Sequence, residues 1–537
     1  MSAKFAFHGG LLISLLATSL SAHAEPGASG SLTVQSDRTG PVISRNLFGQ
    51  FAEQLGYGIY EGVWVGKNSS IPNVRGIRSD VVKALRTLKV PNVRWPGGCF
   101  ADQYHWRNGI GPAEKRPVTY NINWGDPVEP NGFGTQEYMD FIDQIGSEAN
   151  ITANVGSGTV QEAADWLEYL TTDKPTTLAK ERGANGHAAP YRVKFFAYGN
   201  ESYGCGGPMT AEAYTERLRI FSTFARNLNP AQSGNSRFMP GPDPMVRIAV
   251  GPADNQTDYT EVTMKAWKDS SARSRIFDAL SFHHYTAGDL GSMRDHATGF
   301  TEKDYAAFIK NTYEMDGLIG KQSAIMDKYD PKKEVALSID EWGVWLQPMP
   351  GTPALYLKQQ ASLRDAIVAA IHLNIFARHA DRVRMANIAQ MVNVLQAMIL
   401  TDKEKMLLTP TYHVFRMYVP FQDATSLPVE LAAGNYQFGA ISVPRVDAIA
   451  ARGKDGKIWL ALTNIDPNAA VDIDAALPGI AAKGATGEML TAPKIDSVNS
   501  FDAPHVVSPV PFSAVSSAGR LKLHLPPKSI TVVQVQE

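Results

Sequence analysis

The sequence predicts a (β/α)8 barrel combined with a β-sandwich. Eight short strand-like runs, most of them separated by segments with helical spacing of apolar residues, occupy about 375 residues, which suits a barrel with insertions. After about residue 425 the helical spacing fades, and alternating polar and apolar runs separated by turn residues replace it. A doubly wound sheet is the alternative. No Gly-x-Gly-x-x-Gly follows the first run, which disfavours a dinucleotide-binding fold.

The barrel strands are predicted from runs rich in apolar, aromatic and β-branched residues, as expected for strands covered on both faces. The eight runs are residues 46–51, 90–98, 151–156, 193–200, 247–251, 278–283, 334–341 and 383–390. Between them, apolar residues recur every three or four positions, which predicts helices. These helical patterns cover residues 79–90, 135–148, 161–170, 211–228, 261–267 and 359–380, and the region before residue 329 is also rich in them.

The sandwich is predicted from strict alternation, which is clearest in residues 521–525 and 530–535. Residues 31–35 also alternate, so we expect this early strand to join the same sheet system. The predicted domains are therefore a catalytic barrel over residues 45–420 and a sandwich formed by residues 25–44 and 421–537.

Residues 1–24 are predicted to be a secretory signal peptide. Lys4 precedes a short apolar run at residues 11–17, and Ala22-His23-Ala24 forms a small-x-small cleavage site. We therefore expect cleavage after Ala24 and a periplasmic or secreted protein. No later stretch is long and apolar enough to predict a membrane span.

The composition gives no sign of a strongly charged partner, and neutral substrates fit at least as well. The 537 residues include 51 Lys and Arg against 53 Asp and Glu, and this balance argues against a nucleic-acid partner. No membrane partner is expected after signal removal. The two cysteines, Cys99 and Cys205, are too few for a disulfide scaffold in a chain of this size.

Two acids mark the ends of strands four and seven. Glu201 follows Asn200 at the end of the fourth run, and Glu341 ends the seventh. In a barrel, both ends lie at the face where such folds place their chemistry. A pair of carboxyls is what glycoside hydrolysis requires, because one protonates the leaving oxygen while the other attacks the anomeric carbon or activates water. The sequence therefore predicts a glycosidase.

Other strand ends supply groups suited to sugar hydroxyls and rings, and we interpret them as substrate-binding. These residues are Glu53, Arg94, Cys99, Asn200, His283, Tyr285, Trp345 and Gln390.

Three other kinds of catalytic site have less support from the sequence than the pair of carboxyls. A zinc site is disfavoured because the sequence has no His-Glu-x-x-His motif and no tight Cys/His spacing. Its candidate ligands would be His283, His284, Glu201 and Glu341. A Ser-His-Asp triad lacks its Gly-x-Ser-x-Gly elbow. The sequence places no base beside Cys99 as a nucleophile. No metal or other cofactor is therefore expected.

Seven motifs resemble, in consistent order, the α-L-arabinofuranosidases of glycoside hydrolase family 51. They are NLFGQFAE at residues 46–53, RWPGGCF at 94–100, FGTQEY at 133–138, GNE at 199–201, SFHHY at 281–285, DEWGVW at 340–345 and NIAQMVNV at 387–394. The resemblance covers about residues 45–420, and the tail is similar to that family's C-terminal β-sandwich. Two positions depart from the family. His284 stands where an aromatic residue or Arg is common, which affects one expected substrate contact, and Gly343 replaces a common Asn.

The resemblance implies a retaining, exo-acting α-L-arabinofuranosidase that removes terminal arabinofuranosyl residues from arabinan or arabinoxylan oligosaccharides. Glu341 would be the nucleophile and Glu201 the general acid/base, while Arg94 would hold the nucleophile and Glu53 would take sugar hydroxyls. A homo-oligomer is also implied. If strands two and four end close together, Cys99 and Cys205 can form a disulfide in an oxidising compartment.

Two alternative functions remain open from sequence. One is an endo-glycanase acting on β-glucan or xylan with the same barrel. The other is a non-catalytic carbohydrate-binding protein. The linkage preference and the natural polysaccharide do not follow from the sequence.

Overall fold

A closed barrel of eight parallel strands forms the centre of the molecule. The computed structural model describes residues 28–233, 241–271 and 275–537. Neighbours in the barrel follow chain order, and the last strand pairs with the first. The strands are β1 (Gly49–Phe51), β2 (Asn92–Trp95), β3 (Glu148–Ala153), β4 (Phe195–Tyr198), β5 (Val246–Ala249), β6 (Ala279–Thr286), β7 (Ala336–Val344) and β8 (Val383–Ile388).

Helices cover the outside of the barrel, because their apolar faces pack on the outward side chains of the strands. Helix α10 is almost entirely buried, since the sandwich covers its outer side. The helices are α1 (Ser79–Leu88), α2 (Thr135–Ile145), α3 (Val160–Thr171), α4 (Thr177–Ala184), α5 (Ala211–Phe224), α6 (Pro230–Ser233), α7 (Thr257–Asp269), α8 (Glu302–Thr312), α9 (Glu314–Tyr329), α10 (Leu363–Arg378) and α11 (Pro410–Met417).

The second layer of structure is a ten-stranded sheet system. Ala28–Val34 lies parallel to Val471–Ala476 and antiparallel to Val429–Ala432, so the first described segment lies within the C-terminal sheet. The other strands are Thr425–Leu427, Val446–Arg452, Ile458–Asn464, Gly484–Leu490, Val510–Ser517, Arg520–Leu525 and Ser529–Gln536. The predicted fold class, a (β/α)8 barrel with a β-sandwich, is confirmed.

The remaining strands of the described residues form four two-stranded sheets. They pair Asn73–Val74 with Ile77–Arg78, Thr119–Tyr120 with Val128–Glu129, Ile399–Asp402 with Lys405–Leu408, and Asn435–Phe438 with Ile441–Pro444.

Buried polar contacts join the barrel to the sandwich. Asp447 accepts hydrogen bonds from Asn374 and Arg378 of α10, and the Tyr305 hydroxyl of α8 donates to the Ile465 carbonyl. Such contacts satisfy polar groups that the interface removes from water. Among the described residues, no helix has the length and apolar character needed to cross a membrane. The predicted signal peptide, residues 1–24, lies outside the described residues.

Candidate active site

A local irregularity in β7 brings two consecutive acids to the barrel mouth. The sequence predicts a strand ending at Glu341, but β7 continues to Val344, and its pairing with β8 shifts register between Ile339 and Trp342. Such an irregularity interrupts the alternation of side chains along a strand. Asp340 and Glu341 both approach the same guanidinium as a result.

Glu341 is oriented by two hydrogen-bond donors from other barrel strands. Arg94 Nη1 donates to Glu341 Oε1 at 2.8 Å, and the Tyr285 hydroxyl donates to Oε2 at 2.8 Å. Arg94 Nε lies 3.6 Å from Asp340 Oδ2, so one cation faces both acids. Charge-assisted bonds of this kind fix the carboxylate in one orientation. The geometry suits a carboxylate that has to approach a reacting atom along a set direction.

Glu201 follows β4 after Gly199 and Asn200, where the backbone leaves the barrel. Its φ is +38°, in the left-handed region that a residue with a side chain rarely adopts. Its Oε1 is 2.9 Å from His283 Nδ1, and one of its carboxylate oxygens lies within 4.8 Å of one from Glu341. This close approach of the two carboxylates favours the spacing of a retaining glycosidase, about 5–5.5 Å between carboxyl groups, over that of an inverting one, about 6.5–9.5 Å.

His283 stands between the acids. Its Nδ1 is 3.6 Å from Glu341 Oε2, and its Nε2 is 3.3 Å from Asp340 Oδ1. Burial alone would lower the pKa of His283, but Glu341, Asp340 and Glu201 outweigh burial and raise it to about 10. Burial would raise the pKa of Glu201, but the hydrogen bond and charge of His283 lower it. The imidazole is therefore held as a cation in the free site.

Glu53 is enclosed by three donors at the end of β1. Phe100 N and Trp124 Nε1 donate to its Oε1 at 2.9 and 2.8 Å, and Gln390 Nε2 donates to Oε2 at 3.2 Å. Gly97 has φ +131°, and a Cβ there would lie 2.5 Å from Glu53 Cγ. Burial raises the pKa of Glu53 to about 7, although the Phe100 and Trp124 bonds act in the opposite direction.

This raised pKa predicts pH-dependent substrate binding through Glu53. A carboxylate accepts hydrogen bonds from sugar hydroxyls better than a carboxylic acid does, so binding should weaken as pH falls through about 7. In a Glu341→Gln background, which keeps the burial of Glu53 and removes only the smaller effect of the Glu341 charge on its pKa, we expect the Kd for a p-nitrophenyl glycoside substrate to rise about tenfold between pH 8 and pH 5. Calorimetric titration measures it.

Glu53→Gln in the same background is the matched comparison. The amide does not titrate, so its Kd should change little over this pH range. Asp102, whose pKa burial raises to about 6, is present in both proteins and contributes equally. If the Kd of the Glu53→Gln protein depends on pH as strongly as the Kd of the protein that retains Glu53, then Glu53 is not the titrating group.

Cys99 does not present a free thiol to the site. It forms a disulfide with Cys205, and the Glu201 carboxylate lies within 4.8 Å of both sulfurs. Asn200 donates to the Cys205 sulfur through Nδ2, and its Oδ1 accepts from Arg94 Nη2. The disulfide and the amide therefore form one side of the acid pair.

Removing this disulfide should destabilise the fold. It closes a loop of 106 residues, so the Cys99→Ser/Cys205→Ser protein should lose about 2–4 kcal/mol of unfolding free energy. Urea denaturation of both proteins measures the difference, with reduced wild type as a second reference. Equal unfolding free energies, or free alkylation of both thiols in the non-reduced wild type, would contradict the prediction.

Trp345 lies beside a residue of the acid pair's surroundings, Tyr285, whereas His284 contacts a residue outside the site. The Trp345 ring packs edge-on against Tyr285, with ring centroids 5.1 Å apart. His284 sits on the other side of β6 from its neighbours in sequence, and its Nδ1 lies 2.6 Å from Asp254 Oδ1. The departure from the family at His284 therefore lies outside the acid pair.

Glu201, His283 and Glu341 also have the spacing of a metal-binding group, with one ligand atom of each lying within 4.8 Å of the others. The Arg94 guanidinium bonded to Glu341 and the cationic imidazole make this a poor site for a further cation.

Sequence reasoning missed Trp124 and Asp340. Trp124 lies far from any barrel strand, in the long loop after β2, and only the tertiary fold brings its indole to Glu53. Asp340 adjoins Glu341 and would be expected on the opposite face of a regular strand. Its position beside the conspicuous acid was the only available signal.

Comparisons with known proteins agree with this geometry. The sequence-family model of the α-L-arabinofuranosidase C-terminal domain matches residues 340–529. The family model of the α-L-arabinofuranosidase 1 domain matches residues 84–302. An intracellular exo-α-L-arabinofuranosidase of Bacteroides ovatus is 44% identical over 98% of this chain and 99% of its own.

Solved structures give the same result. The GH51 arabinofuranosidase from Xanthomonas axonopodis pv. citri has a TM-score of 0.90 at 47% identity, covering 95% of this chain and 100% of its own. The α-L-arabinofuranosidase from Thermotoga maritima, solved as an arabinose complex, has a TM-score of 0.82 at 30% identity with the same coverages.

One prediction requires correction. The Bacteroides ovatus relative is named as intracellular, which contradicts the predicted signal peptide, with cleavage after Ala24, and the periplasmic or secreted location. The prediction of export is therefore wrong. It rested on a short apolar run followed by small residues, a compositional pattern that involves no tertiary contact and is not constrained by the fold.

Proposed function

The chain belongs to the α-L-arabinofuranosidases of glycoside hydrolase family 51, and from this membership we propose which residues carry out its reaction and on which substrates. The protein hydrolyses terminal α-L-arabinofuranosyl residues, and double displacement is the general mechanism of the family. We assign Glu341 as the nucleophile and Glu201 as the general acid/base. The contacts of Glu341 with Arg94 and Tyr285 are the observation that carries this assignment.

Glu341 attacks the anomeric carbon from the face opposite the leaving group. Arg94 and Tyr285 hold its two oxygens, so the attacking lone pair needs no reorientation during the step. Glu201 protonates the glycosidic oxygen as it leaves. In the second half, Glu201 removes a proton from water, which attacks the same carbon and releases Glu341.

We propose that His283 supplies the proton that Glu201 transfers. In the free site the imidazole holds that proton, because Glu341 is the main charge that raises its pKa. Bond formation to the sugar removes the negative charge of Glu341. The pKa of His283 then falls, and its proton can pass along the 2.9 Å bond to Glu201. Proton delivery is thereby coupled to attack.

Glu53, Gln390 and Asn200 are proposed to bind hydroxyls of the terminal sugar. Trp124 closes one side of this pocket through its bond to Glu53, and Asn121 anchors the same loop by donating to the Gln54 carbonyl. A pocket closed on one side suits a chain end better than the middle of a polymer. This supports exo action, with Trp345 and the disulfide as further walls.

Arabinan and arabinoxylan oligosaccharides are the proposed substrates. The barrel of residues 45–420 is proposed to contain all of these side chains, with the sandwich of residues 25–44 and 421–537 as its support. We also propose a homo-oligomer, for which light scattering would give the mass. Nucleic acids and membranes are not among the proposed partners.

A substrate panel tests the proposal. The enzyme is incubated with p-nitrophenyl α-L-arabinofuranoside, arabinan and arabinoxylan oligosaccharides, xylan and β-glucan, and the products are separated by chromatography. Arabinose should be the only monosaccharide released, together with p-nitrophenol or the oligosaccharide left after its removal, and xylan and β-glucan should not be shortened. Shorter oligosaccharides formed from xylan or β-glucan would favour an endo-glycanase, and binding without any hydrolysis would favour a carbohydrate-binding protein.

A further inference from the structure

Asp102 is a buried carboxylate beside the acid pair, at the end of the short helical turn Cys99–Gln103. It is 5% exposed, and both of its oxygens are used. Oδ1 accepts the backbone amides of Val155 and Gly156 at 2.7 and 2.8 Å, and Oδ2 accepts the amide of Asn200 at 2.7 Å. One side chain therefore joins the segments that leave β3 and β4.

The position of these amides matters because Asn200 immediately precedes Glu201. The chain turns sharply here, with φ of +87° at Gly199 and +38° at Glu201. Gly206 returns so close that a Cβ on it would meet the Asn200 carbonyl at 1.8 Å and Asp102 Oδ2 at 2.7 Å. A strained turn of this kind persists only where surrounding contacts determine it.

The nucleophile is held by groups that Asp102 does not bond, although Arg94 also donates to the Asn200 side chain. Arg94 belongs to β2 and Tyr285 to β6, and both bond Glu341 directly. Asp102 makes no hydrogen bond to Glu341 among those of the described residues. Its loss should therefore displace the proton-transferring carboxyl more than the attacking one.

We propose that Asp102 is a positioning residue for the general acid/base, holding Glu201 at the distance and angle that proton transfer to the leaving oxygen requires. This inference rests on the proposed role of Glu201. It assigns Asp102 no contact with the substrate. The carboxylate acts through the Asn200 amide and the turn that follows it.

Leaving-group dependence separates positioning from general loss of structure. A leaving group of low pKa departs without protonation, whereas an alcohol of high pKa depends on the acid. A misplacement of about 1 Å can cost about 100-fold in rate. Displacing Glu201 should therefore slow the hydrolysis of methyl and oligosaccharide arabinofuranosides and largely spare 2,4-dinitrophenyl arabinofuranoside.

The experiment compares kcat/KM for Asp102→Asn across these substrates. The amide keeps the size of the side chain but presents a donor to backbone donors. We expect about 100-fold loss on the methyl and oligosaccharide substrates and less than about tenfold loss on the dinitrophenyl substrate. Asp143→Asn, an exposed acid on α2, is the matched control and should behave as wild type.

Azide gives a second readout. It attacks the glycosyl-enzyme without a general base, so it should raise kcat of Asp102→Asn on the dinitrophenyl substrate. Asp102→Glu keeps the charge and is the variant to use if the Asn protein does not fold. It should show the same leaving-group dependence, because its longer side chain displaces the same amides.

Three outcomes are distinguishable. Equal losses on all substrates, without azide rescue, would overturn the positioning role, as would wild-type rates in both variants. If Glu201→Ala itself shows no leaving-group dependence, the proposed acid/base role fails instead. Selective loss in Asp102→Asn together with the same pattern in Glu201→Ala supports both.

Discussion

Replacing Glu341 by alanine should reduce kcat/KM by about 10⁴-fold or more on every arabinofuranoside. The variant lacks the proposed nucleophile, so the double displacement would have no first step. Arg94 and Tyr285 also lose their common partner. Initial rates on p-nitrophenyl α-L-arabinofuranoside measure the loss. Glu334→Ala, an exposed acid that precedes β7 in the chain, is the matched control and should keep the wild-type rate.

Azide should partly restore activity to this variant, with a diagnostic stereochemistry. The anion can occupy the space left by the carboxylate and attack from the face that Glu341 uses. The product should then be the β-L-arabinofuranosyl azide, with inverted configuration, and NMR identifies the anomer. An α-azide, or a loss of less than about tenfold, would contradict the nucleophile assignment.

Replacing Glu201 by alanine should cost about 10²–10⁴-fold in kcat/KM on oligosaccharides, the usual contribution of general acid catalysis. The loss on 2,4-dinitrophenyl arabinofuranoside should be much smaller, because that leaving group needs no proton. The intermediate should then accumulate, because no base activates water. A burst of dinitrophenol followed by a slow steady state would report it. Glu212→Ala, at an exposed position in the first turn of α5, is the matched control.

The same anion distinguishes the two acids. In Glu201→Ala, azide attacks a sugar already linked to Glu341, so the product should be the α-azide with retained configuration. Opposite anomers from the two variants would assign the two roles independently. The same anomer from both would contradict the assignment.

The barrel and the acid pair were predictable because each depends on local pattern. Residues 195–198 form a run of buried side chains whose composition alone predicts a strand, and Glu201 follows it after Gly199 and Asn200. The ordered motifs added the residues at the other strand ends. Their shared location follows from the geometry of a parallel barrel, in which all carboxyl ends face one way.

The electrostatics of the site were not predictable from sequence. The register shift in β7 turns Asp340 toward Arg94, whereas strict alternation would point it away. His283, interpreted as a substrate contact, lies 2.9 Å from Glu201 and 3.6 Å from Glu341. These relations depend on register irregularities and side-chain packing that no single-strand pattern encodes.

The long-range contacts of the loop after β2 are the second feature that the sequence did not predict. Trp124 and Asp102 both lie in a segment without barrel strands, and each meets its partner only after the loop folds back over the mouth. The export prediction failed for a related reason, since it used composition without any structural constraint.

The stereochemistry of the wild-type reaction tests the double displacement most directly. Hydrolysis of p-nitrophenyl α-L-arabinofuranoside in the presence of methanol traps the sugar as a methyl furanoside whose anomeric configuration no longer changes. Proton NMR of the early product should show methyl α-L-arabinofuranoside, the result of two inversions by Glu341 and the acceptor. The β-anomer would mean a single displacement and would contradict the account.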